Sequence, residues 1–453
     1  MSEIAVIGFG TGKREELTVE ALDFIMEADM LIGARRMVEG AMRIREDRPC
    51  LTCESFRTDE MIRAAEEHPE ADRIAVLFSG DTGFFSGAGA FLKAAESLKV
   101  SESLKVPESL KASESLKTET GMKTESGSET AGRRGNIRVM PGISSVVAFC
   151  AKLGRSWQDL TFVSLHGKKA HIVSEVMHAP HVFVLLGSED GAAEVCRKLC
   201  ACDLKDAEVT LGENLGSENE RILKGHPEDF SFRTGCALSV MLIDNPHACA
   251  SPCAIPDDAF IRGKVPMTKE EVRTISVAKL RPGISSVIYD IGAGTGSVTV
   301  ELAERAYRGE VYAIEKNPEA ISLLKQNTEK FRTDNVHIVE GTAPDVIRDL
   351  PAPDRVFIGG SGGNLREILC AVCALSPSVR VVVNAITPET VAAAIEAFRT
   401  LDFSEPEILS VTVAKARKAG NVHLMTGQNP VYILTAEKIA EASGQDTRGR
   451  NRA

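Results

Sequence analysis

The chain has no apolar run near the roughly 20 residues that span a bilayer. Its first residues, Met1-Ser2-Glu3-Ile4, enter a strand-like segment without the basic n-region of a secretion signal. A soluble, cytoplasmic protein is expected, with no membrane partner. An excess of positive charge is also missing. The formal net charge of −11 argues against generic nucleic-acid binding, and any anionic ligand needs a basic lining of its own. No convincing metal cluster or nucleophile triad stands out. The eleven cysteines are an odd number, scattered through helix-like and strand-like runs, so reduced thiols are expected. Cys50-x-x-Cys53 and Cys370-x-x-Cys373 have metal-like spacing. The first lies beside Pro49 with no matching histidines nearby. The second sits in the apolar helical run Ile368 to Leu375, where two small buried thiols are the simpler reading. No metal is expected.

With 453 residues, 43% hydrophobic and 26% charged, the chain should form two or three domains at roughly 100–200 residues each. Strand-like runs recur at Ile4–Ile7, Met30–Ile32, Ile74–Phe78, Ile137–Met140, Phe162–Leu165, His181–Leu186, Glu208–Leu211 and Ala237–Ile243, several ending in glycine-bearing turns. The hexad Glu-Ser-Leu-Lys-x-x begins at Glu96, Glu102, Glu108 and Glu114. At about 100° per residue, six residues advance about 240°, so its leucines make no helical stripe. Residues of about 96–135 are therefore expected to be a disordered insertion in a surface loop. A domain at 1–245, a Cys/Pro-rich linker at 246–256, a second domain at 257–440 and a frayed tail at 441–453 follow. Strands of the second domain are expected at Val287–Ile291, Val311–Ile314, Val336–Val339, Arg355–Ile358, Val379–Val383, Glu407–Val413 and Val431–Leu434.

The densest chemistry lies at Asp290-Ile-Gly-Ala-Gly-Thr-Gly296, followed by a helix-like segment and a strand ending on Glu315. This pattern is half of an open α/β sheet with a nucleoside site at its switch point. A dinucleotide fingerprint reads G-x-G-x-x-G and seats a pyrophosphate. Here the spacing is G-x-G-x-G behind an acid, which disfavours a nucleotide-dependent oxidoreductase and resembles the first motif of class I S-adenosylmethionine (SAM) methyltransferases. SAM carries no phosphate, so Asp290 is not repelled and can meet its cationic methionine end. Gly292, Gly294 and Gly296 let the backbone approach, and Glu315 can accept hydrogen bonds from the ribose diol. Thr342 and Ala343 should flank the adenine. Gly359 to Gly363 follow the fourth strand, where room for a substrate and amide donors for a carboxylate are expected, with Gly360, Ser361 and Gly362 at the reacting centre. Thr268 is read as a cap for the helix near Lys269.

Together with Pro266-Met-Thr-Lys-Glu-Glu-Val-Arg273, Val339-Glu-Gly-Thr-Ala-Pro344, Phe357-Ile-Gly-Gly-Ser-Gly-Gly363 and Asn429-Pro-Val-Tyr432, residues of about 255–438 resemble the decarboxylating C15-methyltransferases of corrin biosynthesis. The resemblance makes Thr268 a cofactor or substrate contact as well. In the first half, Val6-Ile-Gly-Phe-Gly-Thr-Gly12, Ser79-Gly-Asp-Thr-Gly-Phe-Phe-Ser86 and Pro141-Gly-Ile-Ser-Ser145 resemble the tetrapyrrole methylases, the class III SAM fold. Phe162-Val-Ser-Leu-His-Gly167 and Leu211-Gly-Glu-Asn-Leu-Gly216 are similar to its C5-methyltransferase branch. Thr11 and Thr82 stand where many members have proline.

The resemblance implies an α/β chain: a class III fold of two α/β subdomains, then a class I Rossmann-like domain with a seven-stranded sheet. It implies two SAM sites, one per domain, with Gly80, Asp81, Thr82, Ser144 and Ser145 serving the first. It implies an anionic tetrapyrrole, metal-free or carrying cobalt, met by Gly10, Thr11, Arg35, Arg36, His166 and Lys168, and a homo-oligomer. The competing readings are solvated charge for Arg35-Arg36 and Lys168-Lys169, and a core histidine for His166. The expected activity is that of the bifunctional C5,15-methyltransferase family of cobalamin biosynthesis. A methyltransferase pair acting on another tetrapyrrole or small molecule is the alternative.

Overall fold

A computed structural model describes residues 3–46, 48–97, 137–167, 170–249 and 254–438. The expected insertion and tail, most of the linker's centre, and Lys168 lie outside the described residues. Two compact units emerge. One holds the described residues of Met1–Lys168, Phe183–Glu194 and Glu208–Ile243; the other holds those of Lys169–Val182, Val195–Ala207 and Asp244–Ala453. The division is therefore not a single cut at the expected linker. The helix Ile172–His178 belongs with the second unit, where both oxygens of its Glu175 accept from Arg308 at 2.6 and 2.9 Å.

In the first unit, β1 (Glu3–Gly8), β2 (Met30–Gly33), β3 (Leu51–Glu54), β4 (Arg73–Phe78) and β5 (Ile137–Met140) form a sheet of order β3-β2-β4-β1-β5. Every pairing within it is parallel. Strands β1, β2 and β4 are buried along nearly their whole length because helices cover both faces. The period of two sorts β1 cleanly. Ala5 and Ile7 join a core with Phe24, Ile25, Met37 and Ala41, while Ile4 and Val6 join one with Met61, Ile62 and Phe91. A second sheet has the order β6-β7-β10-β8-β9, from β6 (Thr161–Ser164), β7 (His181–Leu185), β8 (Glu208–Glu213), β9 (Arg221–Gly225) and β10 (Ser239–Asp244).

The second unit carries β11 (Val287–Ile291), β12 (Glu310–Glu315), β13 (Val336–Glu340), β14 (Arg355–Ile358), β15 (Val379–Ala385), β16 (Glu407–Val411), β17 (Ala414–Ala419), β18 (Val422–Gly427) and β19 (Val431–Lys438). Seven of these form one sheet, β13-β12-β11-β14-β15-β19-β16, as expected, with β19 antiparallel to both neighbours. Strand order runs outward from β11 in one direction and from β14 in the other. The switch point lies between them, where strand C-termini open a crevice. The helix Leu365–Leu375 buries Leu365, Ile368, Leu369 and Val372. That packing turns Cys370 outward and leaves Cys373 half-buried, which corrects the expected buried pair. Among the described residues, no helix is long and apolar enough to cross a membrane.

Candidate active site

The chain leaves β11 through Gly292-Ala-Gly-Thr-Gly296 into the helix Ser297–Arg305. At Gly292 (φ 75°) a Cβ would lie 2.7 Å from the Gly360 carbonyl oxygen, so the loops after β11 and β14 cross backbone to backbone. At Gly296 (φ 81°) a Cβ would lie 2.4 Å from Leu324 Cδ1, so this glycine serves helix packing. Glu315 closes β12. Its Oε2 accepts from the Gly294 amide at 2.9 Å, and its Oε1 accepts from the amides of Lys316 and Asn317 at 2.8 and 2.9 Å. Three backbone donors thus fix the carboxylate's direction.

A cleft of about 490 Å³ opens at this point. Thr268, Gly292, Gly294, Glu315, Thr342, Ala343, Gly360, Ser361 and Gly362 all line it, so residues from five separate segments converge. Gly296 does not line it, and neither does Asp290. Asp290 is fully buried and accepts from the Thr299 hydroxyl at 2.5 Å, while its Oδ1 has no partner among the described residues. The expected direct contact with a methionine end is therefore replaced by a carboxyl group beneath the glycine turn. Burial pushes this carboxyl up to about 7; the Thr299 hydrogen bond opposes the rise and the Glu315 charge adds to it.

An unfolded aspartate has a pKa of about 3.9, so between that pH and about 7 the unfolded chain releases a proton that the folded chain keeps. Stability contributed here falls as pH rises through that window. Asp290→Asn, which can still accept from Thr299, should raise the melting temperature at pH 8 and lose that advantage near pH 4. Equal gains at both pH values in a calorimetric comparison would refute it.

Thr268 is not the helix cap. The helix Glu270–Leu280 starts after Lys269, with no side-chain cap. Instead the Thr268 carbonyl accepts from Arg273 Nη1 at 2.7 Å. Arg273 is completely buried. Its Nε donates to Glu301 at 2.6 Å, Nη1 reaches Asp257 at 3.2 Å, Nη2 donates to the Ile255 carbonyl, and the guanidinium sits 4.8 Å from the Phe260 ring centroid. One side chain thus ties residues 255, 257 and 268 to the helix Ser297–Arg305. Asn327, also buried, bonds the Ile261 backbone at both N–H and carbonyl and donates to the Thr295 carbonyl at 2.8 Å. These two residues hold the segment before the sheet against the glycine turn. Sequence reading missed both roles; the only signal was Arg273 closing the Thr-Lys-Glu-Glu-Val-Arg motif.

In the first unit, loops after β1, β4 and β5 meet. A Cβ on Gly142 would lie 2.3 Å from the Gly8 carbonyl oxygen and 2.4 Å from that of Gly80, and Gly10 and Gly80 exchange amide bonds at 3.0 and 2.9 Å. Asp81 bridges two loops by accepting from the Gly83 and Gly142 amides at 2.8 and 3.2 Å. Thr82 lies in the same turn, between Asp81 and Gly83. Ser144 caps the helix Ser145–Leu153 by accepting from Val147. Thr11 donates to Glu16 at 2.5 Å and abuts Gly216. Of the two arginines, Arg35 is spent on Glu39 at 2.8 Å. Arg36 donates to Ser79 Oγ at 2.9 Å beside Gly80, has no carboxylate partner among the described residues, and is lowered in pKa by partial enclosure. His166 stands exposed after β6, so it is no core histidine.

Residues 258–438 match the precorrin methyltransferase domain family. Residues 3–101 and 125–230 match the tetrapyrrole (corrin/porphyrin) methylases. A precorrin-6Y C(5,15)-methyltransferase [decarboxylating] from a Sinorhizobium species is 30% identical over 305 residues, 66% of this chain and 72% of that protein. The chain belongs to the precorrin-6Y C5,15-methyltransferase family. A probable cobalt-precorrin-6B C(15)-methyltransferase (decarboxylating) from Pyrobaculum calidifontis is 42% identical over 185 residues, covering 40% of this chain and 94% of the relative. The crystal structure of a precorrin-6y C5,15-methyltransferase from Geobacter metallireducens GS-15 is 41% identical, with 41% of this chain and 97% of that one covered, at a TM-score of 0.39. In this family setting, the two sets of converging loops fall one within each matched region.

Proposed function

We propose that this chain methylates a precorrin-6-type tetrapyrrole at C5 in its first domain and at C15 in its second, and removes the C12 acetate as carbon dioxide, a step of cobalamin biosynthesis. The observation that carries the reading is the anchored Glu315 carboxylate facing the glycine loop after β14 across one cleft. As functional modules the domains run 1–245 and 257–440, although the compact units divide differently within 169–207, and the assembly is a homo-oligomer.

The residues fit SAM. Glu315 accepts from the ribose diol, Gly292 and Gly294 give the backbone access, and Thr268, Thr342 and Ala343 flank the ligand, while Asp290 acts from beneath and Gly296 sets the turn. In the first domain the same cofactor is held by Gly80, Asp81, Thr82, Ser144 and Ser145. Bound in each place, SAM supplies a methyl group already activated on its sulfonium. The chain's task is then to align an electron-rich ring carbon with that methyl. Arg36, His166, Lys168, Gly10 and Thr11 meet the macrocycle in the first domain; Arg35, already paired, contributes charge at the rim.

In the second domain Gly360, Ser361 and Gly362 face the reacting edge, and a Cβ on Gly360 would meet open space. Beside Gly360 the acetate stands out of the ring plane, and the loop shields it from water. The bond to the carboxyl carbon breaks, its electron pair enters the conjugated ring, carbon dioxide departs, and a proton returns to leave a methyl group.

Mass spectrometry of a precorrin-6-type substrate, with and without cobalt, tests this after incubation with the full chain and SAM. Two added methyls and one lost carbon dioxide are expected. An unchanged tetrapyrrole with SAM binding intact would remove the assigned substrate.

A further inference from the structure

In a chain of net charge −11, several cations of the second unit are spent on carboxylates. Arg273 pairs with Glu301 and Asp257, Lys279 with Glu407, Arg308 with Glu175, Lys325 with Glu340, Arg380 with Glu437, and Lys415 with Glu271. Lys269, which lines the cleft, has no carboxylate partner among the described residues, and neither has Lys316. Lys316 is exposed and lines the cleft too. Its neighbour Glu315 does not neutralise it by contact, since that carboxylate is turned onto three backbone amides.

The Lys316 ammonium rests beside the loop after β14: a Cβ on Gly362 would lie 3.4 Å from Nζ. The amides of Gly359 and Gly360 are tied to the Ile291 carbonyl at 2.9 and 3.3 Å. Those of Ser361, Gly362 and Gly363 have no protein acceptor among the described residues. Gly362 and Gly363 take φ of 59° and 96°, and consecutive unpaired amides in such a turn make an anion-binding concavity. An ammonium next to them adds charge to the same spot.

We infer that Lys316, with the amides of Ser361, Gly362 and Gly363, anchors a side-chain carboxylate that stays on the product, and so positions the departing acetate without gripping it. This rests on the function proposed above. The distinction is physical. As carbon dioxide leaves, negative charge drains from the carboxylate oxygens into the ring. A cation paired to those oxygens would stabilise the ground state more than the transition state and slow the step. An ionic subsite therefore suits a carboxylate that does not react.

The test follows carbon dioxide release by the full chain with SAM, which reads the second domain alone, and uses the decarboxylated, doubly methylated product as competitive inhibitor. Lys316→Met should raise both the substrate KM and the product Ki by about tenfold to a hundredfold, the worth of one charge-assisted hydrogen bond. Lys316→Arg should recover most of both. SAM affinity should stay unchanged. A rise in KM with the product Ki untouched would mean that Lys316 holds the acetate that leaves, and would overturn the inference. Unchanged KM and Ki, or weakened SAM binding that accounts for the whole effect, would overturn it too. Failure of the wild-type chain to release carbon dioxide would instead remove the proposed function beneath it.

Discussion

Arg273→Met is expected to lower the melting temperature of the second unit by about 6–20 °C, from roughly 3–5 kcal/mol for breaking a buried ion pair and about 2–4 °C per kcal/mol in a domain of this size. The substitution fills much of the arginine's volume but leaves the buried Glu301 carboxylate without its cation and the Ile255 and Thr268 carbonyls without donors. Arg273→Lys should recover little, because a single ammonium cannot span Glu301, Asp257 and two carbonyls as a planar fork does. Arg273→Met with Glu301→Leu should regain a good part of the loss, since replacing both members of a buried pair is close to neutral. SAM affinity should fall with the single change and return only in part with the double one, because Thr268 lines the cleft and loses its tether in both. Calorimetry that shows no separation between the single and double variants would refute this account.

How much of that site was readable before the structure depended on the range of the interaction. The run from β11 through the glycine turn to Glu315 is local. Apolar alternation, glycine spacing and the closing acid lie within 29 residues, from Val287 to Glu315, and each reports its own conformation. The strands of the large sheet were legible for the same reason, as buried apolar runs. β3 was missed because Leu51-Thr-Cys-Glu54 is a short edge strand of mixed polarity, and β17 and β18 because they pair only with each other as an exposed ribbon, with no buried face to impose a pattern on the sequence. Arg273 was quoted as a motif letter, yet its partners at 255, 257 and 301 are fixed only by packing. Thr268 looked like a cap because a threonine before Lys-Glu-Glu fits that pattern; the arginine's hold on its carbonyl decides otherwise. Asp290 followed the glycine logic correctly in position but not in contact, since its side chain is buried and bonds Thr299, while Ile291 and Gly292 line the cleft. Arg35 and Arg36, adjacent in sequence and both within reach of Glu39 along the helix, differ because the first pairs with it while the second is turned to Ser79, a contact between distant segments.

Glu315→Ala should abolish methylation at C15 while leaving methylation at C5, so that the tetrapyrrole gains one methyl group. The loss in SAM affinity at the second site should be on the order of a hundredfold or more, from two charge-assisted hydrogen bonds to a ribose diol. Those bonds are only part of the cost. The carboxylate also accepts from Gly294, Lys316 and Asn317, so its removal leaves three amides unsatisfied and frees the glycine turn that shapes the cleft. Glu315→Gln sharpens the prediction. An amide side chain has one acceptor and one donor end, and both Glu315 oxygens face backbone donors. Whichever way the amide is turned, its NH2 meets an N–H, so the isosteric change should cost nearly as much as alanine. Retention of the first methylation is the informative half. It requires a second, independent SAM site in the first domain, where the loops around Gly8, Gly80 and Gly142 meet and Glu315 plays no part. Loss of both methyl groups from Glu315→Gln, in a chain that still folds, would mean that the two reactions share one cofactor site or run in an obligatory order with C15 first. Retention of both would mean that the Glu315 carboxylate serves the turn alone.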